Sequence, residues 1–278
     1  MQAAVSAENI AVGYDDRIIL KNFNAEIAAG QFVGIIGCNG SGKSTLLKAL
    51  RGLHPVKTGT ISYFGHDIAS LSARQAAQMA AYMQQSTHIE FNYTGKEVVL
   101  SGRYPHLKWW QRENAQDEEL VQACMEYTGT GNLQDVPVNE ISGGQRQRIF
   151  LAKILAQMTP ILFMDEPTAG LDMVYQEEIF RFTKELAQNG KTILMVVHEL
   201  NLAARYCDRI LLLGEGKLLA DGAPATVFTE EILSRAYHAD VQIVKNPLTS
   251  NLEITTRTNI TIEKKGEALL KQICGQGQ

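Results

Sequence analysis

Long hydrophobic runs are missing from this 278-residue chain. Its longest apolar stretches, residues 193–197 and 210–213, fall far short of the about 18 residues that cross a bilayer, which excludes an integral membrane protein. Positive charge is not in excess either. The 26 Lys and Arg against 30 Asp and Glu leave a net charge of −4, which does not advertise a nucleic-acid surface. Cysteine is scarce, and Cys38, Cys124, Cys207 and Cys274 stand far apart with no CxxC or Cys/His metal spacing, so reduced thiols are expected. The first residues, Met1-Gln2-Ala3-Ala4-Val5-Ser6, lack the basic start and apolar centre of a secretory signal, and a cytosolic chain is expected. Repeats and low-complexity linkers are absent as well. What the chain does have is an ordinary globular balance, 45% hydrophobic and 20% charged, at a length suited to one large domain, or one with a smaller lobe or tail.

Apolar runs rich in β-branched residues recur at 32–36, 161–164, 192–197 and 210–213, with helical spacing between them at 46–50, 117–127, 145–156 and 175–186. Strands apolar on both faces and alternating with helices predict an α/β fold around a mainly parallel sheet. Residues 10–14, 18–27 and 60–64 read as strands joined by short turns, which adds an antiparallel portion. Residues 86–160 read as an inserted, mostly helical lobe.

Between the first buried strand and the first helix lies Gly37-Cys38-Asn39-Gly40-Ser41-Gly42-Lys43-Ser44-Thr45, which fits GxxxxGK[ST] in its required strand–loop–helix setting. Glycines let successive backbone N–H groups point inward at phosphate oxygens, and the helix adds its unpaired N–H groups and positive dipole end. Lys43 is placed to neutralise β- and γ-phosphates and Ser44 to ligate Mg²⁺. This is a nucleoside-triphosphate site.

The run Ile161-Leu162-Phe163-Met164-Asp165-Glu166 ends a buried strand in two carboxylates, at the edge where parallel sheets bind ligands. Asp165 is the candidate Mg²⁺ partner and Glu166 the candidate general base for the attacking water. Strand alternation sends neighbouring side chains to opposite faces, so both reach one site only if the strand stops at Asp165. Pro167 favours that stop. Twenty residues before Asp165, Ile141-Ser142-Gly143-Gly144-Gln145 opens another helix, with Ser142 placed as its N-cap. A capped helix N-terminus is a second potential anion cradle.

Together these motifs make the chain resemble the ATP-binding cassette ATPases over about residues 5–244. Ile141–Gln145 is similar to the signature LSGGQ, with Ile for Leu. Gly37–Thr45 matches the Walker A loop, with Cys38 where Pro is common, and Ile161–Glu166 matches Walker B with its catalytic Glu. Gln85 falls at the Q-loop, although Gln84 stands where Pro is usual. Asp172 in Ala169-Gly170-Leu171-Asp172 resembles the D-loop acid, His198 the switch histidine, and Tyr14 the aromatic residue that stacks on adenine. The resemblance implies a P-loop NTPase fold and hydrolysis of ATP with Mg²⁺ at Ser44, Gln85 and Asp165, with Lys43, Glu166 and His198 as catalytic groups. It also implies a head-to-tail homodimer in which Ser142, Gly143, Gly144 and Gln145 of one copy close over ATP held by the other.

A narrower resemblance lies in Tyr93-Thr94-Gly95-Lys96-Glu97-Val98-Val99-Leu100-Ser101-Gly102-Arg103-Tyr104-Pro105-His106, followed by Trp109-Trp110, and in His198-Glu199-Leu200-Asn201-Leu202-Ala203-Ala204-Arg205-Tyr206-Cys207-Asp208, which look like ATPase subunits of importers for iron–siderophore complexes, haem and cobalamin. It implies separate integral membrane permease subunits docking near residues 84–107, a substrate-binding protein acting indirectly, no nucleic-acid partner, and a peripheral place on the cytoplasmic face of the cell membrane. An importer for another solute such as molybdate, and an exporter, remain open alternatives. Ribosome-acting or DNA-repair members are disfavoured, because a second cassette, long coiled coils and zinc-binding Cys pairs are all missing. Arg103 is not read as an arginine finger, and Trp109-Trp110 is read as packing within the helical lobe in preference to direct contact with a permease. Residues 239–261 read as two strand-like segments and 262–278 as a short helix, so residues 245–278 form an extension of unassigned role.

Overall fold

The runs that are apolar throughout become the interior of a six-stranded sheet in the computed structural model, which describes residues 3–84, 92–247, 249–257 and 273. The chain opens with β1 (Ala3–Tyr14) and β2 (Arg17–Ala28), an antiparallel hairpin. Next come β3 (Phe32–Gly37), α1 (Lys43–Arg51), β4 (Thr58–Tyr63), β5 (His66–Asp67), α2 (Ala73–Met79) and β6 (Ala80–Met83). Three helices follow, α3 (Gly95–Leu100), α4 (Ala115–Tyr127) and α5 (Gly143–Ala156). The chain then alternates through β7 (Ile161–Asp165), α6 (Met173–Gln188), β8 (Thr192–Val196), α7 (Leu200–Tyr206), β9 (Arg209–Gly214) and β10 (Lys217–Gly222). It continues with α8 (Pro224–Val227), α9 (Glu230–Tyr237), β11 (Val241–Lys245) and β12 (Leu252–Thr256).

The main sheet has the order β10-β9-β3-β8-β7-β6, parallel except for its edge strand β10. A separate antiparallel sheet, β2-β1-β4-β5, lies beside it. Period-two alternation sorts the core into two halves. Val33, Ile35, Ile161, Phe163, Leu194 and Val196 join α1 and the antiparallel sheet. Phe32, Ile36, Leu162, Met164, Ile193 and Met195 face the helical side. Every one of these strand residues is buried, so a large-to-small change such as Phe163→Ala removes about 3–5 kcal/mol of stability.

Local signals set the helix starts. Ser72/Gln75, Thr94/Glu97, Asn114/Asp117 and Ser142/Gln145 each form a capping box, in which the cap side chain and the third helical residue satisfy each other's backbone N–H. In the helical lobe, Arg103 Nε donates to Asp117 Oδ1 at 2.8 Å and its Nη1 to the Ala156 carbonyl at 2.8 Å. Although burial pushes the Asp117 carboxyl upward, Arg103 and the Asn114 backbone hold it below its ordinary value. Arg103 is therefore an internal brace of the lobe. The tryptophan expectation is corrected: Trp109 is 92% and Trp110 63% exposed, on the loop between the 3₁₀ turn Ser101–His106 and α4. They meet each other edge-on at 5.3 Å, and Lys108 stands 5.4 Å from the Trp110 ring.

Cys38, Cys124 and Cys207 are free thiols, and burial pushes Cys124 up to about 11. β11 and β12 pair in register, so the expected boundary at residue 244 falls inside a hairpin. Asn201 on α7 ties that hairpin down, accepting from the Ile254 N–H at 2.7 Å. Residues 258–272 and 274–278, with most of the expected terminal helix, lie outside the described residues, as does Gln85.

Candidate functional site

β3, in the middle of the parallel sheet, delivers the glycine-rich loop to its carboxyl edge, and β7, two strands away, ends at the same edge. Gly37 leaves β3 at φ 146°, and a Cβ there would sit 2.2 Å from the Leu213 carbonyl oxygen. Gly42 caps α1 at φ 95°. Only glycine fits both positions, one for close approach and the other for the left-handed turn. Lys43 is 5% exposed, and its ammonium donates to the Gly37 carbonyl at 2.8 Å and the Cys38 carbonyl at 3.1 Å. Burial lowers Lys43 from its ordinary value, while Glu166, Cys38 and Asp165 push the other way. The Ser41 hydroxyl is buried in the loop without a hydrogen-bond partner. A buried cation and an orphaned hydroxyl in a loop that leads into a helix N-terminus are the chemistry that a polyphosphate satisfies. Thr45, in the first turn of α1, is buried beneath the loop. Asn39 and Gly40 form its outer lip, beside a cleft of about 590 Å³ that Arg17, Arg235 and His238 also line.

Ser44 joins the loop to the strand-end carboxylate, its Oγ donating to Asp165 Oδ1 at 2.7 Å. Asp165 is 2% exposed and also accepts from the Tyr82 hydroxyl, 2.8 Å from Oδ2. Burial, reinforced by Asp165, drives the Tyr82 phenol far above its ordinary value, so Tyr82 serves as a neutral donor. β7 does stop at Asp165, and Glu166 turns the chain with φ 48°. That turn lets both carboxylates stay at one edge despite their adjacency. Glu166 Oε1 lies 2.7 Å from Nε2 of His198, which follows β8 on the neighbouring strand.

Tyr14, at the end of β1, is 49% exposed with its ring tilted against His54 at 4.7 Å. Asp172 caps α6, accepting from the Val174 and Tyr175 N–H groups at 3.1 Å each. Ser142 caps α5 as the sequence suggests, with the Gln145 N–H 3.2 Å from its Oγ and Gln145 Oε1 accepting from the Ser142 N–H at 3.0 Å. Gly143 is exposed, and a Cβ on it would meet nothing within 4 Å. Thus the structure gathers Lys43, Ser44, Asp165, Glu166 and His198 at one edge, while the hydrogen bonds of Ser142 and Gln145 stay within their own turn.

Two features escape the sequence reading. Tyr82 has a signal of sorts, a lone aromatic residue three positions before Gln85 on the strand beside β7. The other is Glu199, which accepts from Thr168 Oγ1 at 3.0 Å and from Gln176 Nε2 at 3.2 Å. It thereby links the loop after Asp165 to His198. Nothing local announces it.

Among the described residues no three His, Cys, Asp or Glu side chains are grouped to hold a metal, and no helix is long and apolar enough to cross a membrane. A hydroxyl and a carboxylate in contact do suit Mg²⁺, which takes few protein ligands and completes its shell with phosphate oxygens and water.

A family described as ABC transporter matches residues 20–169. The chain is 39% identical over 246 residues to the achromobactin transport ATP-binding protein of Dickeya dadantii, covering 88% of this chain and 91% of that one. It is 37% identical over 245 residues to the hemin import ATP-binding protein of Rhodococcus jostii, covering 87% and 82%. A solved dimeric bacterial ABC transporter cassette superposes with a TM-score of 0.70 at 27% identity, covering 79% of this chain and 98% of its own.

Proposed function

The chain belongs to the ATP-binding cassette transporter ATPases, an ATP-hydrolysing family, and from that premise we propose that it powers an importer of iron–siderophore complexes, haem or cobalamin through separate permease subunits. The observation that carries the enzymatic part is the joining of two pairs at one sheet edge, Ser44 with Asp165 and Glu166 with His198.

In this reading the amide groups from Gly37 to Thr45, the end of α1 and Lys43 bind the β- and γ-phosphates of ATP, and Tyr14 stacks on adenine. Ser44, Asp165 and, from outside the described residues, Gln85 are the groups that would hold Mg²⁺. When bound, that ion neutralises charge on the phosphates. Tyr82 keeps the Asp165 carboxylate turned toward Ser44. Glu166 takes the proton from the attacking water, and His198 holds Glu166 in place and faces the γ-phosphate. Asp172 shapes the loop that borders this centre.

The exposed turn Ser142–Gln145 acts on a second copy. Its helix end closes over ATP held by the partner, so two copies form a homodimer around two ATP molecules. Because ATP binds the closed dimer better than the open pair, binding shifts the permease and hydrolysis releases it. The cassette is placed at residues 1–244 by the resemblance, with its helical subdomain at 86–160, and the extension at 245–278 begins within the β11–β12 hairpin. It sits on the cytoplasmic face of the membrane, receives the permease near residues 84–107 and meets the substrate-binding protein only through it. Nucleic acid has no part.

The test of the enzymatic part is Mg²⁺-dependent phosphate release by the purified chain. Glu166→Gln is expected to lower turnover by about 10²–10⁴ while keeping ATP binding; equal turnover in the variant would remove Glu166 from the chemistry. The solute is read from the co-expressed substrate-binding protein by calorimetry with ferric siderophores, haem, cobalamin and molybdate. Binding of molybdate alone would redirect the solute assignment and leave the ATPase intact.

A further inference from the structure

The helix face that carries Gly144 rests on an aromatic ring that the mechanism above does not use. A Cβ placed on Gly144 would lie 3.2 Å from Cδ2 of Tyr175, in the first turn of α6. One turn further along α5, the Arg148 guanidinium stands 5.0 Å over the same ring. Residues four apart share a helix face, so the Tyr175 ring spans a turn of α5 with the signature glycine at one end and a cation at the other. Glu178, one turn beyond Tyr175 on α6, lies 3.9 Å from Arg148 and steadies that cation.

The ring also hangs from the strand-end site. Its backbone N–H donates to Asp172, which caps α6 and closes the loop that begins at Asp165. Thr168 and Gln176, on either side of that cap, both bind Glu199, the residue after His198. An unbroken series of contacts therefore runs from the His198 loop through Glu199 and the α6 cap to Tyr175, and from its ring to Gly144.

We propose that Tyr175 is a positioning residue that fixes the signature turn relative to the chain's own Asp165–Glu166 strand end, so that the turn is offered to a second copy in the correct place. The proposal deepens the composite-site reading and rests on it. Its contacts with α5 run through the face of the ring, not through the hydroxyl. Phenylalanine should therefore serve as well as tyrosine, and alanine should not.

The experiment uses the full chain with Glu166→Gln as parent. Sedimentation with Mg-ATP reads dimer formation, and a fluorescent ATP analogue at low chain concentration reads binding to the single chain. Tyr175→Ala is expected to weaken ATP-driven dimerisation roughly tenfold while single-chain affinity stays within about twofold of the parent. Tyr175→Phe is expected to match the parent in both measurements. A parent that dimerises, beside a Tyr175→Ala variant that dimerises equally well, would overturn the coupling alone. Equal losses of single-chain affinity and dimerisation in Tyr175→Ala would also overturn it, by making Tyr175 a general structural residue. A parent that stays single with Mg-ATP would overturn the composite-site reading, and this proposal with it.

Discussion

The loop at Gly37–Thr45 and the turn at Ser142–Gln145 use the same device, a glycine-rich segment feeding the N-terminus of a helix, yet they sit in opposite surroundings. The first is walled in: Lys43 is buried, Gly37 touches the Leu213 carbonyl, and Ser44 is bonded to Asp165. The second is open. Gly143 faces empty space and Ser142 spends its hydroxyl on its own helix. A cradle built into the core holds a ligand by itself, whereas a cradle at the surface can act only on what another surface brings to it. That difference is the physical basis for assigning ATP to the first and closure over a partner's ATP to the second.

The largest effect expected is at the chemical step, where Glu166→Gln lowers phosphate release by about 10²–10⁴ without preventing ATP binding. Next comes Gly37→Ala. The left-handed φ and the close Leu213 carbonyl should cost about 3 kcal/mol of stability, seen as an earlier urea midpoint, and weaken ATP binding by single chains. Ser142→Ala removes a cap worth about 1 kcal/mol, so the melting temperature should fall slightly while single-chain ATP affinity holds. The smallest effect sharpens the contrast most. Gly143→Ala enters open space in a helical first turn and should leave stability unchanged or raise it by about 0.5–1 kcal/mol by thermal melting. A large loss of stability from Gly143→Ala would mean that the two glycine turns are not as different as they look.

Much of this arrangement is legible in the residues because its causes are local. The GxxxxGK[ST] run needs its glycines in a strand–loop–helix setting, Ser142 as an N-cap marks a helix start, and an apolar run closed by Asp165 marks a strand end. Even the requirement that the strand stop at Asp165 follows from alternation, and the left-handed Glu166 is how the chain meets it. Long-range pairings are a different matter. That Tyr82 donates to Asp165, 83 residues away, depends on β6 settling beside β7. That Glu199 bridges Thr168 and Gln176 depends on α6 and the His198 loop meeting. The exposed Trp109 and Trp110 reverse the reading that these side chains pack within the lobe, because residues 108–112 of the loop that carries them are all exposed. Where the antiparallel strands close into a sheet of their own is equally a matter of tertiary packing, since single strands look alike whichever sheet they join.

The central claim, that an enclosed cradle and an exposed one from two copies make one site, is tested most directly by sedimentation of Glu166→Gln and of Glu166→Gln/Gly143→Glu with Mg-ATP. A carboxylate at Gly143 has room in the single chain but would face the partner's γ-phosphate. The expected result is a dimer carrying one ATP per chain for Glu166→Gln, and a single chain that still binds ATP for the double variant. A dimer indifferent to the added carboxylate would contradict the account.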